Sequence, residues 1–376
     1  VTRRSGAALS FGVAVALIAG VAMGSAGTNV MPVFIDDFAA RAGLSGAEAG
    51  LVGAAQLTAT AVVTLLLASR AARPGRVGMT RFGLAVTAFG VLWVGVADDP
   101  VTLLLTNLVL GAGLGVVYAA ATAALAAAED SDKASAVAVA GTVVIAALMI
   151  VVVPFAGTFL LAACCVPAWF LVARLPESPV AAAAEARTGR PSAVLLLGTA
   201  TLWAITQGTW AYASVLGREH TGMDTTVVSV VLAMSSVVAL AGAVAGPPAA
   251  HRFGRLRSMA VFVAVEAVAM AVIVIGDEPV LFTVAAVVWQ ACQLAVLVQM
   301  VAAAAALDPS GRLVAALSGA SALGTGAGPL AVGLLLHNAG AEALGVVFAA
   351  GLVLASVPLL RMTAAAPLVA AEASSR

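Results

Sequence analysis

Glu266 is the only carboxylate near the middle of a long apolar run, and its chemistry would be to carry a proton or to sit as a buried, hydrogen-bonded acid. Asp36 and Asp37, at the outer end of the first run, are the other acidic candidates for that work. A second group of residues could hold a ligand. Trp203, Gln207, Trp210 and Ser214 fall at i, i+4, i+7 and i+11, which is one face of a helix. Gln290 and Gln293 share a face with Trp289 beside them, Asn107, Gly111 and Tyr118 form one stripe, and Asn29 follows Gly20, Gly24 and Gly27. Indole rings and carboxamides suit a site that buries a partly apolar molecule and hydrogen-bonds its polar atoms. The plainer use of the same amides is to bridge helices, at roughly 0.6–2 kcal/mol each. Gln56 and Ser321 are weaker candidates, since Ser commonly bonds its own helix.

Hydrolytic and nucleotide-driven chemistry lacks its residues. There is no His-Glu-x-x-His, no Gly-x-Ser-x-Gly and no Gly-x-x-x-x-Gly-Lys-Ser/Thr, and His220, His251 and His337 are scattered at the ends of apolar runs. Cys164, Cys165 and Cys292 lie inside apolar stretches without metal-ligand or disulfide spacing. No catalytic residue, metal or cofactor is expected.

The elements that position these residues are membrane helices. The chain is 62% hydrophobic and 10% charged, whereas a soluble domain carries about a quarter charged residues. Apolar runs long enough to cross a bilayer fall near 9–34, 47–68, 77–96, 101–127, 134–153, 155–173, 193–216, 226–246, 258–275, 280–306, 313–336 and 343–360. This is an all-α membrane protein of twelve transmembrane helices. The polar stretch at 175–192 divides it into a six-helix half at 1–174 and another at 193–376. With both termini cytoplasmic, all of the 18 Lys and Arg residues fall inside except Arg41 and Arg218. The expected location is a bacterial inner (plasma) membrane, with both termini cytoplasmic. Net charge is zero, so nucleic acid is not an expected partner; a monomer in lipid, with a small molecule and protons as partners, is.

The halves repeat at an offset of 179 residues. Arg73-Pro74-Gly75-Arg76 falls on Arg252-Phe253-Gly254-Arg255, Asp98-Asp99-Pro100 on Asp277-Glu278-Pro279, and Glu129 with Lys133 on Asp308 with Arg312. Six crossings separate the copies, so corresponding helices run in the same direction and the repeat is parallel. A Gly in so short a loop permits a left-handed turn, and its arginines can meet helix C-termini and anionic headgroups.

With these features the sequence resembles the major facilitator superfamily over nearly its whole length. That family carries Gly-x-x-x-Asp-Arg-x-Gly-Arg-Arg between its second and third helices. Here Arg73-x-Gly75-Arg76 matches its end, Ala68 and Ala72 stand where its first Gly and its Asp would be, and the second copy has His251 at the Asp position before Arg252, Gly254 and Arg255. The resemblance implies that these are cytoplasmic gating loops, that the charge latch of the missing Asp is lost, and that the first and fourth helices of each half line a central cavity. Those four helices carry the polar faces named above. The expected function is secondary transport of a small neutral or weakly cationic, partly aromatic molecule by alternating access, with export favoured. An uptake permease and a non-transporting receptor on the same fold are the alternatives.

Overall fold

A computed structural model describes residues 9–97, 99–129, 131–157, 159–178, 192–308 and 312–366. The elements are helices: α1 Phe11–Asn29, α2 Met31–Ala42, α3 Gly46–Ala71, α4 Arg76–Val94, α5 Pro100–Ala126, α6 Ser131–Ala156 and α7 Phe159–Leu171, prolonged by a 3₁₀ turn at Val172–Arg174. Then come α8 Ala193–Thr221, α9 Thr225–Phe253, α10 Arg255–Ile275, α11 Pro279–Leu307 and α12 Arg312–Ala365. Most of the expected 175–192 linker lies outside the described residues, as does Asp98.

These elements make twelve crossings. The first is α1 and α2 together, broken at Val30 (φ −97°, ψ 6°). The break follows from Pro32, which has no N–H to give the carbonyl of Thr28 one turn earlier. The last two crossings are α12, which Gly340 (φ 77°, ψ 175°) splits inside the expected connection His337-Asn338-Ala339-Gly340. Among the described residues nine helices are long and apolar enough to span a bilayer by composition. α7 misses by length, and α8, at 29 residues, is not among the nine although it is long enough. α8 can be polar because it is an interior helix: its Thr199, Thr206, Thr209 and Ser214 are buried in protein rather than lipid.

The internal repeat is exact at three helix starts. α3 and α9, α4 and α10, and α5 and α11 each begin 179 residues apart. Both loop glycines adopt positive φ, 105° at Gly75 and 86° at Gly254. α9 runs further than the apolar pattern indicated, through Pro247 and Pro248 to Phe253. His251 and Arg252 therefore stand on the last turn of a helix, and Gly254 alone separates α9 from α10.

The halves meet along α3 with α12, α6 with α9 and α2 with α8. Glycines set the spacing on α12: a side chain at Gly324 would strike the carbonyl of Ala200, one at Gly328 the backbone of Gly208, and one at Gly326 Thr58 across the interface. The first crossing is shared unequally. Its outer part, α2, packs on α8, while α1 packs on α5, α6 and α7. The halves are thus joined through α2 and α8 as well as along α3 with α12 and α6 with α9.

Candidate functional site

A cavity of about 190 Å³ lies midway along the helices, between the halves. Asn29 and Thr142 reach it from the first half; Trp203, Gln207, Trp210, Ser236, Gln290 and Gln293 reach it from the second. Six of the eight residues expected at a binding site are therefore together. The rest of the wall, including Val143, Ala146, Ala239, Leu294 and Leu297, is apolar, and no charged side chain among the described residues lines it. Asn29 is steadied by Ser25, whose hydroxyl accepts from its amide at 3.1 Å. No described residue hydrogen-bonds the side chains of Gln207, Gln290 or Gln293, which leaves three carboxamides, each a donor and an acceptor, facing a small space with two indoles.

Asn107 and Tyr118 do not line this cavity. Glycines draw their helix, α5, onto its neighbours: a side chain at Gly111 would meet the carbonyl of Gln56, and Gly24 of α1 leaves no space over the backbone of Tyr118. Thr60 and Thr64 of α3 donate to the carbonyls of Gly111 and Gly115, fixing the same face. Asn107, fully buried, donates to its own Leu103 carbonyl at 2.8 Å. In this structure the glycines of the α5 stripe pack against α1 and α3, while the Asn107 Oδ1 is buried without a partner among the described residues. Thr142 and Ser236 were not anticipated; each is one hydroxyl on a long apolar helix, and Ser236 also donates to Leu232 of its own turn.

Above the cavity the first and seventh crossings are tied. The Trp210 indole N–H donates to the Thr28 carbonyl at 3.2 Å, taking the acceptor that Pro32 leaves free. One turn further out Ser214 lies 3.5 Å from the Asp36 carboxylate, which is ion-paired with Arg218. Tyr212 donates to the Gly46 carbonyl on the neighbouring helix. Asp36 thus joins the halves, with Asp37 beside it on α2.

Glu266 is not in the cavity. It is completely buried on α10, one helix away. It faces α11, where Trp289 and Cys292 stand one turn apart beside it. The Trp289 indole N–H bears on the carboxyl but stops short of a well-formed hydrogen bond, and neither group has another partner among the described residues.

No family model matches the sequence, and no curated protein sequence matches it. Solved structures do. The nucleoside transporter NupG superposes with a TM-score of 0.72 at 15% identity, over 94% of this chain and 100% of that one. A POT family transporter in complex with 5-aminolevulinic acid gives 0.75 at 10% identity, over 97% and 99%. A bacterial homolog of the human lysosomal transporter Spinster, inward-facing and unoccupied, gives 0.64 at 15% identity, over 94% of both chains. These are major facilitator structures. The fold is that of the major facilitator superfamily.

Within the major facilitator fold, the turn between the second and third crossings is capped by a carboxylate from elsewhere in the chain. Glu177, just after the sixth crossing, accepts from the backbone N–H groups of Gly75, Arg76 (3.0 Å) and Val77 (2.8 Å), the open N-terminus of α4. Burial pushes its carboxyl up, but those three donors and the nearby Arg76 guanidinium outweigh this and hold it below its ordinary value. Arg76 is fully buried and donates to the carbonyls of Ala71, Ala72, Pro176 and Ser178 at 2.7–3.0 Å. Arg73 is exposed. In the second copy His251 and Arg252 are exposed, while Arg255 keeps one buried guanidinium nitrogen without a partner, beside a cavity of about 90 Å³.

Proposed function

We propose that this chain is a secondary transporter that moves a small neutral or weakly cationic, partly aromatic molecule across the membrane by alternating access. The observation that carries the reading is the mid-membrane cavity between the halves, walled by Trp203 and Trp210, furnished with the free amides of Gln207, Gln290 and Gln293, and lacking charge. A cavity shared by two repeats is what rocking of one half against the other requires. By the distribution of Lys and Arg, the ties at Trp210, Asp36 and Tyr212 lie on the outer side of this cavity. An anionic substrate would find no fixed cation to pair with. A planar ring with hydrogen-bonding edges would stack on indole and satisfy the amides. The transport of nucleosides by one structural relative makes neutral nucleosides the first compounds to try, with aromatic amines beside them.

The test is a thermal-shift screen of such compounds on the purified protein, followed by flux of any hit in right-side-out and inverted vesicles. Flux predominating from the cytoplasmic face supports export, flux in the other sense makes the chain an uptake permease, and binding without flux makes it a receptor. Trp203→Ala and Gln207→Ala should each weaken binding by about 1–3 kcal/mol, on the order of tenfold or more, with expression unchanged. Normal binding in both variants would move the site elsewhere.

A further inference from the structure

The cavity and its ties leave one group unused. Glu266 sits at the centre of α10, fully buried, with no well-formed hydrogen bond to either oxygen, and the described residues offer it no cation. Of the helices packed on α10, α11 presents Trp289 and Cys292 to it, and no acidic or basic side chain of α8, α9 or α12 bears on it. An ionised carboxylate left there would cost several kcal/mol, so this conformation fits the neutral acid. Loss of its proton would leave an anion whose strongest donor among the described residues is the Trp289 N–H, which already bears on the carboxyl without making a well-formed hydrogen bond.

That indole leads back to the cavity. Its ring lies 6.1 Å from that of Trp210, the two planes tilted by 56°. Trp210 lines the cavity and holds the Thr28 carbonyl of the opposite half. One turn further along α11, Gln293 lines the same cavity. A shift of Trp289 toward an ionised Glu266 would therefore move a wall of the cavity and the hydrogen bond that joins the halves above it. The stretch is short: one acid, two indoles and one carbonyl, in close-packed surroundings that pass on small displacements.

We propose that Glu266 is a proton-binding site whose occupancy is read at the cavity through the Trp289–Trp210 indole pair. The step is a simple exchange, in which the carboxylate takes a proton from water to form an O–H and later returns it. Its use for coupling rests on the transport reading; the proton site and its link to the cavity do not. The order of events in coupling would be that the acid form matches the conformation tied on the outer side of the cavity, and the anion, drawing on Trp289, loosens the Trp210–Thr28 tie.

The link can be tested without a substrate. In protein carrying Trp93→Phe and Trp169→Phe, the remaining tryptophans are Trp203, Trp210 and Trp289, all near the cavity. Their fluorescence, followed against pH in lipid nanodiscs, should show one titration. Glu266→Gln, which keeps the shape and cannot ionise, should abolish it, and Asp36→Asn should leave it in place. Trp289→Phe keeps a ring against Trp210 but removes the N–H, and should shift the midpoint; it serves equally if Glu266→Gln does not fold. A titration that survives Glu266→Gln, or that ignores the loss of the Trp289 N–H, would overturn the proposal. Transport with no titration overturns this inference alone, whereas titration in a protein that moves nothing upholds it and removes the transport reading.

Discussion

The two Arg-x-Gly-Arg turns share their pattern, start equivalent helices and both hold glycine at positive φ, yet among the described residues only the first is closed by a carboxylate. In the first, Glu177 and Arg76 cross-bind: the acid covers the N–H groups that open α4, and the base gathers four carbonyls from the end of α3 and from the chain leaving the sixth crossing. In the second, the corresponding Arg255 has a nitrogen left over, and the polar contacts nearby belong to Ser258 and Gln299, which bond each other at 3.0 Å. Duplication supplied both turns with the same parts. The difference comes from a residue outside the repeat, and it fastens the first half to its exit strand while the second half has no such strap among the described residues.

The largest contrast should appear on removing the two arginines. Arg76→Ala strips four buried or half-buried carbonyls of their donor and leaves Glu177 without its neighbouring charge, so a loss of about 3–5 kcal/mol is expected. Arg255→Ala removes a group that is only partly used and should cost about 0.5 kcal/mol. Denaturant unfolding of the two variants in the same detergent compares them directly. Equal losses would mean that Arg255 has partners of its own weight, and that the two turns are alike.

The glycines reverse the order. Gly254 combines φ 86° with ψ 146°, a region essentially closed to residues with a Cβ, whereas Gly75 (φ 105°, ψ 16°) lies nearer the left-handed helical basin. Gly254→Ala should therefore cost about 2 kcal/mol and Gly75→Ala about 1 kcal/mol, the latter displacing only the flexible end of Arg70, 2.8 Å from the new methyl. Unfolding midpoints check the ranking. If Gly75→Ala is the more damaging, the strap at Glu177 is more sensitive to backbone geometry than the turn itself.

Much of this architecture was legible in the sequence, for identifiable reasons. A bilayer forces apolar runs of fixed length, so the crossings could be read directly, and the loop glycines were readable because a turn that short has few backbone solutions. The face of α8 was legible because Trp203, Gln207 and Trp210 are too polar for lipid and share one helical stripe. Thr142 and Ser236 were not, because one hydroxyl can always return to its own helix, as Ser236 does. Asn107 and Tyr118 lie off this cavity because the glycines beside them are packing contacts, a matter of which helix lies opposite. The break in the first crossing had a signal in Pro32, but the destination of the freed Thr28 carbonyl, Trp210, lies 182 residues away. Glu177 was invisible for the same reason: its targets on α4 are about 100 residues earlier in the chain.

The smallest expected effect isolates that acid. Glu177→Gln keeps the shape of the cap but gives up its charge on the N-terminus of α4, worth about 1 kcal/mol for a partly exposed group whose field is screened by solvent. Because the folded protein holds the Glu177 carboxyl below its ordinary value near 4.5, the contribution is fully present above that pH. It is lost as pH falls through the lower folded-state value, where the acid is neutral in both states. The gap in stability between parent and variant should therefore be constant at neutral pH and close as the solution is made acidic. No variant of the second turn should show such a closing gap, since no described carboxylate caps α10. Thermal unfolding of parent, Glu177→Gln and Arg255→Ala across the acid range measures this. A gap that persists unchanged into acid would show that the glutamine harms the turn through its shape, and that the first half is held by the Arg76 hydrogen bonds alone.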